Sequence, residues 1–161
     1  MFTAQQELVW TPPINQNGTI TAFTVVATDG AMFSAPAPVS IVVAPVNDAP
    51  TLTAMNPLTV AAIEDTPCVI THGMLQAAGN EADVDHDPIN YRIASVNGTM
   101  RIRPANSTGS GTTVTPGVTV LDAANELVWT PPKDANGQTQ CMSVLAYDGQ
   151  LTSQSGVGVA V

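Results

Sequence analysis

Glu7-Leu-Val-Trp-Thr-Pro-Pro13 recurs letter for letter as Glu126-Leu-Val-Trp-Thr-Pro-Pro132, 119 residues further along a chain of 161. The register outlasts the heptapeptide. Residues 2–30 and 121–149 align without a gap at 14 identities in 29, including Asn17-Gly18 with Asn136-Gly137 and Asp29-Gly30 with Asp148-Gly149. Self-similarity at a fixed period marks a repeat array. The chain therefore reads as the C-terminal third of one repeat, 1–46, followed by one complete repeat, 47–161, and as a slice of a longer protein.

Around the heptapeptide, 13 prolines and 12 glycines punctuate short β-branched runs. Strands are predicted over 8–11, 21–28, 39–43, 89–96, 99–103, 112–121, 127–130, 140–147 and 157–161, many with period-two alternation. Asn17-Gly18, Asn97-Gly98 and Asn136-Gly137 are tight-turn signals. Asn17-Gly-Thr, Asn97-Gly-Thr and Asn106-Ser-Thr also match the glycosylation sequon, but turn chemistry explains them better. Only 73–79 suits a helical turn or two. The expected fold is all-β: an antiparallel Greek-key β-sandwich, Ig- or cadherin-like, of about seven strands over 47–161. Trp129 and Tyr91 belong in its core. Pro45-Val-Asn-Asp-Ala-Pro50, stiffened by two prolines, reads as the boundary between repeats.

An apolar content of 44% supports a packed core. No apolar run approaches the length of a membrane span, so no membrane insertion is expected. The first residues lack a signal-peptide pattern, so any export is directed by another part of the parent. The net charge is −9, with 13 acids against Arg92, Arg101, Arg103 and Lys133. Such a surface repels phosphate backbones and excludes nucleic acid as a partner. Asp83, Asp85 and Asp87 crowd together with few basic residues to neutralise them, which points to a hard divalent cation. They do not form an EF-hand: Pro88 stands where glycine is needed, and Ala94 where a bidentate glutamate is needed. A solvated acidic turn is the plainer alternative.

Four motifs then follow in order: Asn47-Asp48-Ala49-Pro50, Glu64-Asp65-Thr66-Pro67, Asp83-Val84-Asp85 before Ile89-Asn90-Tyr91, and Ala146-Tyr147-Asp148-Gly149. Together they resemble the cadherin-like tandem repeats, of VCBS type, found in large calcium-dependent bacterial surface adhesins. The resemblance covers 47–161, and 1–46 is similar to the end of such a module. It implies Ca2+ at the junction between modules, held by Asn47, Asp48, Asp83, Asp85 and Asp148. Asn15-Gln16-Asn17 would be the matching loop of the preceding module. A distal set implied in the same way comprises Glu64, Asp134 and Asn136. The resemblance also implies an extracellular or cell-surface location, neighbouring repeats of the same chain as partners, and a cell-surface or matrix ligand. Ala49 replaces a second linker asparagine, which suggests fewer ions per junction.

Cys68 and Cys141 would lie on the strands that antibody domains bridge. Strict alternation, however, places Cys68 inward with Ile70 and Cys141 outward, opposite in sense to Met142, Val144 and Ala146, which argues against a disulfide. No nucleophile elbow, phosphate loop or metalloprotease motif is present, and His86 has no companion histidine for zinc, so no enzyme is expected. Two functions remain: a calcium-stiffened extender or adhesion module, and a carbohydrate- or ligand-binding β-sandwich with incidental calcium. Finally, Trp10, Phe23, Val25, Ile41 and Val43 in 1–46 would lack an opposing sheet. Either that segment is poorly packed, or a second copy covers it in a homodimer caused by truncation; the dimer is the favoured expectation.

Overall fold

The computed structural model describes residues 2–3 and 5–161. The chain divides into two units, Met1–Asn47 and Asp48–Val161. The first contains β1 (Gly18–Val25) and β2 (Ala37–Val43). The second contains β3 (Cys68–Thr71), the helix α1 (His72–Ala78), β4 (Asn90–Val96), β5 (Thr99–Pro104), β6 (Thr112–Thr113), β7 (Val120–Leu121), β8 (Asn125–Thr130), β9 (Gln140–Tyr147) and β10 (Val157–Ala160).

In the second unit the strands form two antiparallel sheets, in the orders β10-β9-β4-β7 and β3-β8-β5-β6. Alternate residues turn inward from both. Tyr91, Ile93, Leu121, Met142, Val144 and Val159 from one sheet share a single buried cluster with Ile70, Met100, Leu127 and Trp129 from the other. This is a β-sandwich whose interior is almost wholly aliphatic. Leu75, fully buried, pins α1 to that cluster, and the Thr71 hydroxyl caps the helix by accepting from Met74 N–H at 3.3 Å.

The single strand predicted over 112–121 is two. Pro116-Gly117 makes a turn between them, with Gly117 at φ +79° and its N–H donating to Ile93 O at 2.7 Å. That turn carries the chain from the β5 sheet, where β6 pairs, to the β4 sheet, where β7 pairs. Pro-Gly supplies both the fixed φ and the left-handed residue such a turn needs.

The outward placement of Cys141 is also corrected. Gln140 pairs with Ala160 and Met142 with Val159, so Cys141 is an extra residue on its strand, a β-bulge. The bulge interrupts alternation and leaves Cys141 and Met142 both buried, at 0% and 1% exposure. The first unit has the same irregularity, since Thr21 pairs with Ser40 and Phe23 with Val39, which makes Ala22 the extra residue. Its β1–β2 connection likewise repeats the β9–β10 connection. Asp29 Oδ1 accepts from Ala31 and Met32 N–H at 2.9 and 2.8 Å, and Asp148 Oδ1 accepts from Gln150 and Leu151 N–H at 2.6 and 2.7 Å.

The heptapeptide itself differs between copies. In the second unit it contributes most of β8, held between β3 and β5. In the first, 7–13 forms no strand, contrary to the prediction for 8–11. A strand needs partners for its backbone groups, and β1 and β2 are the named strands of that unit. No described residue of 2–46 is buried, and Val9, Ile14, Phe33 and Val42 are largely exposed.

Candidate metal site

The entry segment of the second unit is anchored by reciprocal backbone bonds between Thr51 and Ala82, at 2.8 and 3.0 Å. This bridge fixes Ala82 against the entry segment, and beyond it the chain bends at Val84 and Asp85. Ala82, Val84 and His86 are exposed, whereas Glu81, Asp83, Asp85 and Asp87 are half-buried. Four partly buried carboxylates thus fall within seven residues.

Each is held differently. Glu81 Oε1 accepts the hydroxyl of the fully buried Tyr91 at 2.6 Å. Burial, and then the Glu81 hydrogen bond and charge, raise the Tyr91 pKa well above the ordinary tyrosine value. Glu81 Oε2 lies against Gly79, where a Cβ would collide with it, and it is buried without a hydrogen-bond partner. Asp83 Oδ1 accepts from Asp85 and Asp87 N–H at 2.8 and 3.2 Å, folding the loop around itself, and Asp83 Oδ2 is also buried and unpartnered. His86 adopts φ +63° where that loop turns. Asp85 Oδ2 accepts from Asp48 N–H at 2.8 Å, tying the row to the first residue of the second unit.

The arginines make their contacts elsewhere, although Arg92 Nε is buried without a hydrogen-bond partner. Arg103 pairs with Glu126 at 2.7 Å, Arg101 donates to Ser110 O and Gly111 O, and Arg92 lies over the Tyr147 ring at 4.2 Å. A buried carboxylate oxygen without a donor is costly, and this segment has two of them. The donor set is all oxygen, which suits Ca2+ or Mg2+ rather than zinc. Among the described residues, however, no group of three or more His, Cys, Asp and Glu side chains converges tightly enough to hold a metal ion. The fit is in the donors and their missing partners rather than in a closed cage.

Of the junction residues named from sequence, Asp48, Asp83 and Asp85 are linked by the bonds above. Asn47 is the last residue of the first unit. Asp148 follows β9, whose last residue Tyr147 pairs with Asn90, three positions beyond Asp87. Asp148 therefore lies at the same end of that sheet as the acidic row, and its Oδ1 organises the β9–β10 turn. Of the distal residues, Glu64 and Asn136 line one small cavity of about 70 Å³, with Asp134 two residues before Asn136 and at φ +61°. Asn136 Nδ2 donates to Asp134 O at 3.2 Å. This cluster precedes β9 and so lies at the opposite end of that strand, roughly 25 Å away at ordinary strand rise.

Glu81 is the residue sequence reading missed. Continuing the alternation of Asp83, Asp85 and Asp87 one step backward would have found it. A larger cavity, about 520 Å³, opens between 49–53 and 152–157. Its lining mixes the apolar Ala49, Pro50, Leu52 and Val157 with the hydroxyls and amide of Thr51, Thr53, Thr152, Gln154 and Ser155, and no aromatic residue is among them. Comparison with known proteins finds no family model, no curated protein and no solved structure that matches the chain.

Proposed function

We propose that this chain is a calcium-stiffened extender or adhesion module of a large secreted or cell-surface repeat protein. The observation that carries the reading is the partly buried row Glu81, Asp83, Asp85 and Asp87, with unpartnered buried oxygens on Glu81 and Asp83. Asp48, Glu81, Asp83 and Asp85 would hold the ion, with Asp87 and Asp148 at the same end of the sandwich. The ion would supply positive charge to a row the protein's arginines do not reach. Because Asp85 already holds the Asp48 backbone, filling the row would fix the point at which the chain enters the module. An array so fixed resists bending, which is a mechanical role and needs no catalytic group. The cluster of Glu64, Asp134 and Asn136 is the corresponding candidate at the far end.

The alternative, a carbohydrate-binding sandwich, would use the cavity between 49–53 and 152–157. Its hydroxyls suit a sugar, but the stacking surface that carbohydrate sites use is lacking, so the extender reading is preferred. Calorimetric titration with Ca2+ tests it. Extracellular calcium modules bind at roughly 10⁻⁴–10⁻³ M. Glu81→Gln should weaken that binding at least tenfold while leaving the fold intact by circular dichroism. Absence of binding at millimolar Ca2+ would reject the reading.

A further inference from the structure

Cys68 and Cys141 are free thiols lying on facing sheets at the same end of the sandwich. Their positions are linked through two residues. Cys68 is the cross-strand partner of Trp129. The Trp129 indole N–H donates to Asn97 O at 2.6 Å, and Asn97 N–H donates to Cys141 O at 2.8 Å. Asn97-Gly98 is the tight turn joining β4 to β5, so it closes this end of the core over both strands. Cys68 shares the inward sense of Ile70 and packs against the core, and the bulge turns Cys141 inward to complete burial. Burial raises both thiols, that of Cys141 to about 12, and the Cys68 thiol adds to the effect on Cys141. Cys141 belongs to the buried core cluster against which Cys68 packs, and its thiol donates to Val159 O at 3.3 Å.

We propose that Cys68 and Cys141 form a disulfide site, closed across the core beside Trp129 by exchange with a small disulfide oxidant. Cys68, the more accessible, attacks first as thiolate. It forms a mixed disulfide and expels one thiolate of the oxidant. Cys141, losing its proton to solvent during a local opening, then attacks the Cys68 sulfur and expels the second. Two protein thiols are oxidised to one disulfide, and one oxidant disulfide is reduced to two thiols. Cys141 is the slow partner because burial suppresses its thiolate. The bond would staple the two sheets and enclose a loop of roughly seventy residues, a length at which cross-links restrict the unfolded chain strongly. The inference is independent of the metal reading.

The full chain, unfolded in urea and refolded in a glutathione redox buffer, gives every thiol access to oxidant. Alkylation and mass spectrometry should then find a monomer lighter by two hydrogen atoms, with the peptides bearing Cys68 and Cys141 joined. Its Tm should exceed that of the reduced chain by roughly 10 °C, and dithiothreitol should abolish the difference. Cys68→Ser should eliminate both the cross-link and the shift. Recovery of two alkylated thiols, of a persistent glutathione adduct, or of chains cross-linked to one another as the main product would overturn the proposal.

Discussion

The Tyr91 hydroxyl donates to Glu81 Oε1 at 2.6 Å, so a fully buried core residue holds the first carboxylate of the acidic row. The bond satisfies Tyr91 and directs Glu81 inward, and it leaves the second oxygen of Glu81 without a donor. Core packing and the candidate metal site therefore share one side chain.

Tyr91→Phe should consequently cost about 1–2 kcal/mol in urea unfolding, because Glu81 then loses its one donor. The sign with pH follows from the raised Tyr91 value. Below the ordinary value of 10.0 the hydroxyl is protonated in both states and its contribution is complete. As pH rises past it, the unfolded chain ionises first and stability falls. The Phe variant should show a shallower loss of stability above pH 10.

Glu126 is a buried carboxylate, and each of its oxygens accepts a hydrogen bond. It accepts from Asn106 N–H at 3.1 Å and from Arg103 Nε at 2.7 Å, and these bonds, the backbone one foremost, lower its pKa from the ordinary 4.5. Its contribution is complete above the ordinary value and disappears as pH falls through the lowered one. Glu126→Gln should cost about 2 kcal/mol at neutral pH and flatten the acid limb of the stability profile, measured by urea midpoints between pH 3 and 7.

The two copies of the heptapeptide offer an internal control. Trp129 is 1% exposed within β8, whereas Trp10 is partly exposed in a segment without strand structure. Trp129→Ala should cost about 3–5 kcal/mol, and Trp10→Ala less than about 0.5 kcal/mol. Equal costs in chemical denaturation would mean that the first copy is packed as the second is.

The exposed apolar residues of 2–46 correspond to buried ones in the complete repeat: Leu8 to Leu127, Val25 to Val144 and Ala27 to Ala146. A second copy of the chain is the expected cover. Light scattering should report a dimer for the whole chain and a monomer for a shortened chain beginning at Val46. A monomer in both cases would reject this partner.

Much of this architecture is legible in the residues. The boundaries of β9 coincide with the strand read from 140–147, because alternation runs clearly over 142–147 and turn residues bound the segment. Tyr91 and Trp129 are core residues because few other side chains can fill the centre of so aliphatic a sandwich. The bulge at Cys141 is different: an inserted residue leaves no mark on composition, and counting parity through it reverses the face of everything before it. The failure of 7–13 to form a strand cannot be read locally either, since an identical heptapeptide forms most of β8. Partner strands decide it. Glu81 escaped notice because its neighbour Ala82 separates it from an otherwise obvious aspartate triplet, although it keeps the same alternate spacing in sequence.

The central claim is that a divalent cation completes the row from Glu81 to Asp87, and thermal unfolding of the whole chain tests it most directly. With 10 mM Ca2+ and a dissociation constant of about 10⁻⁴ M, binding to the native state adds about 2.7 kcal/mol, raising Tm by roughly 10 °C over the value in chelator. The Asp83→Asn, Asp85→Asn double variant, folded as judged by circular dichroism, should lose that rise. Superimposable melting curves for the unaltered chain in calcium and in chelator would contradict the account.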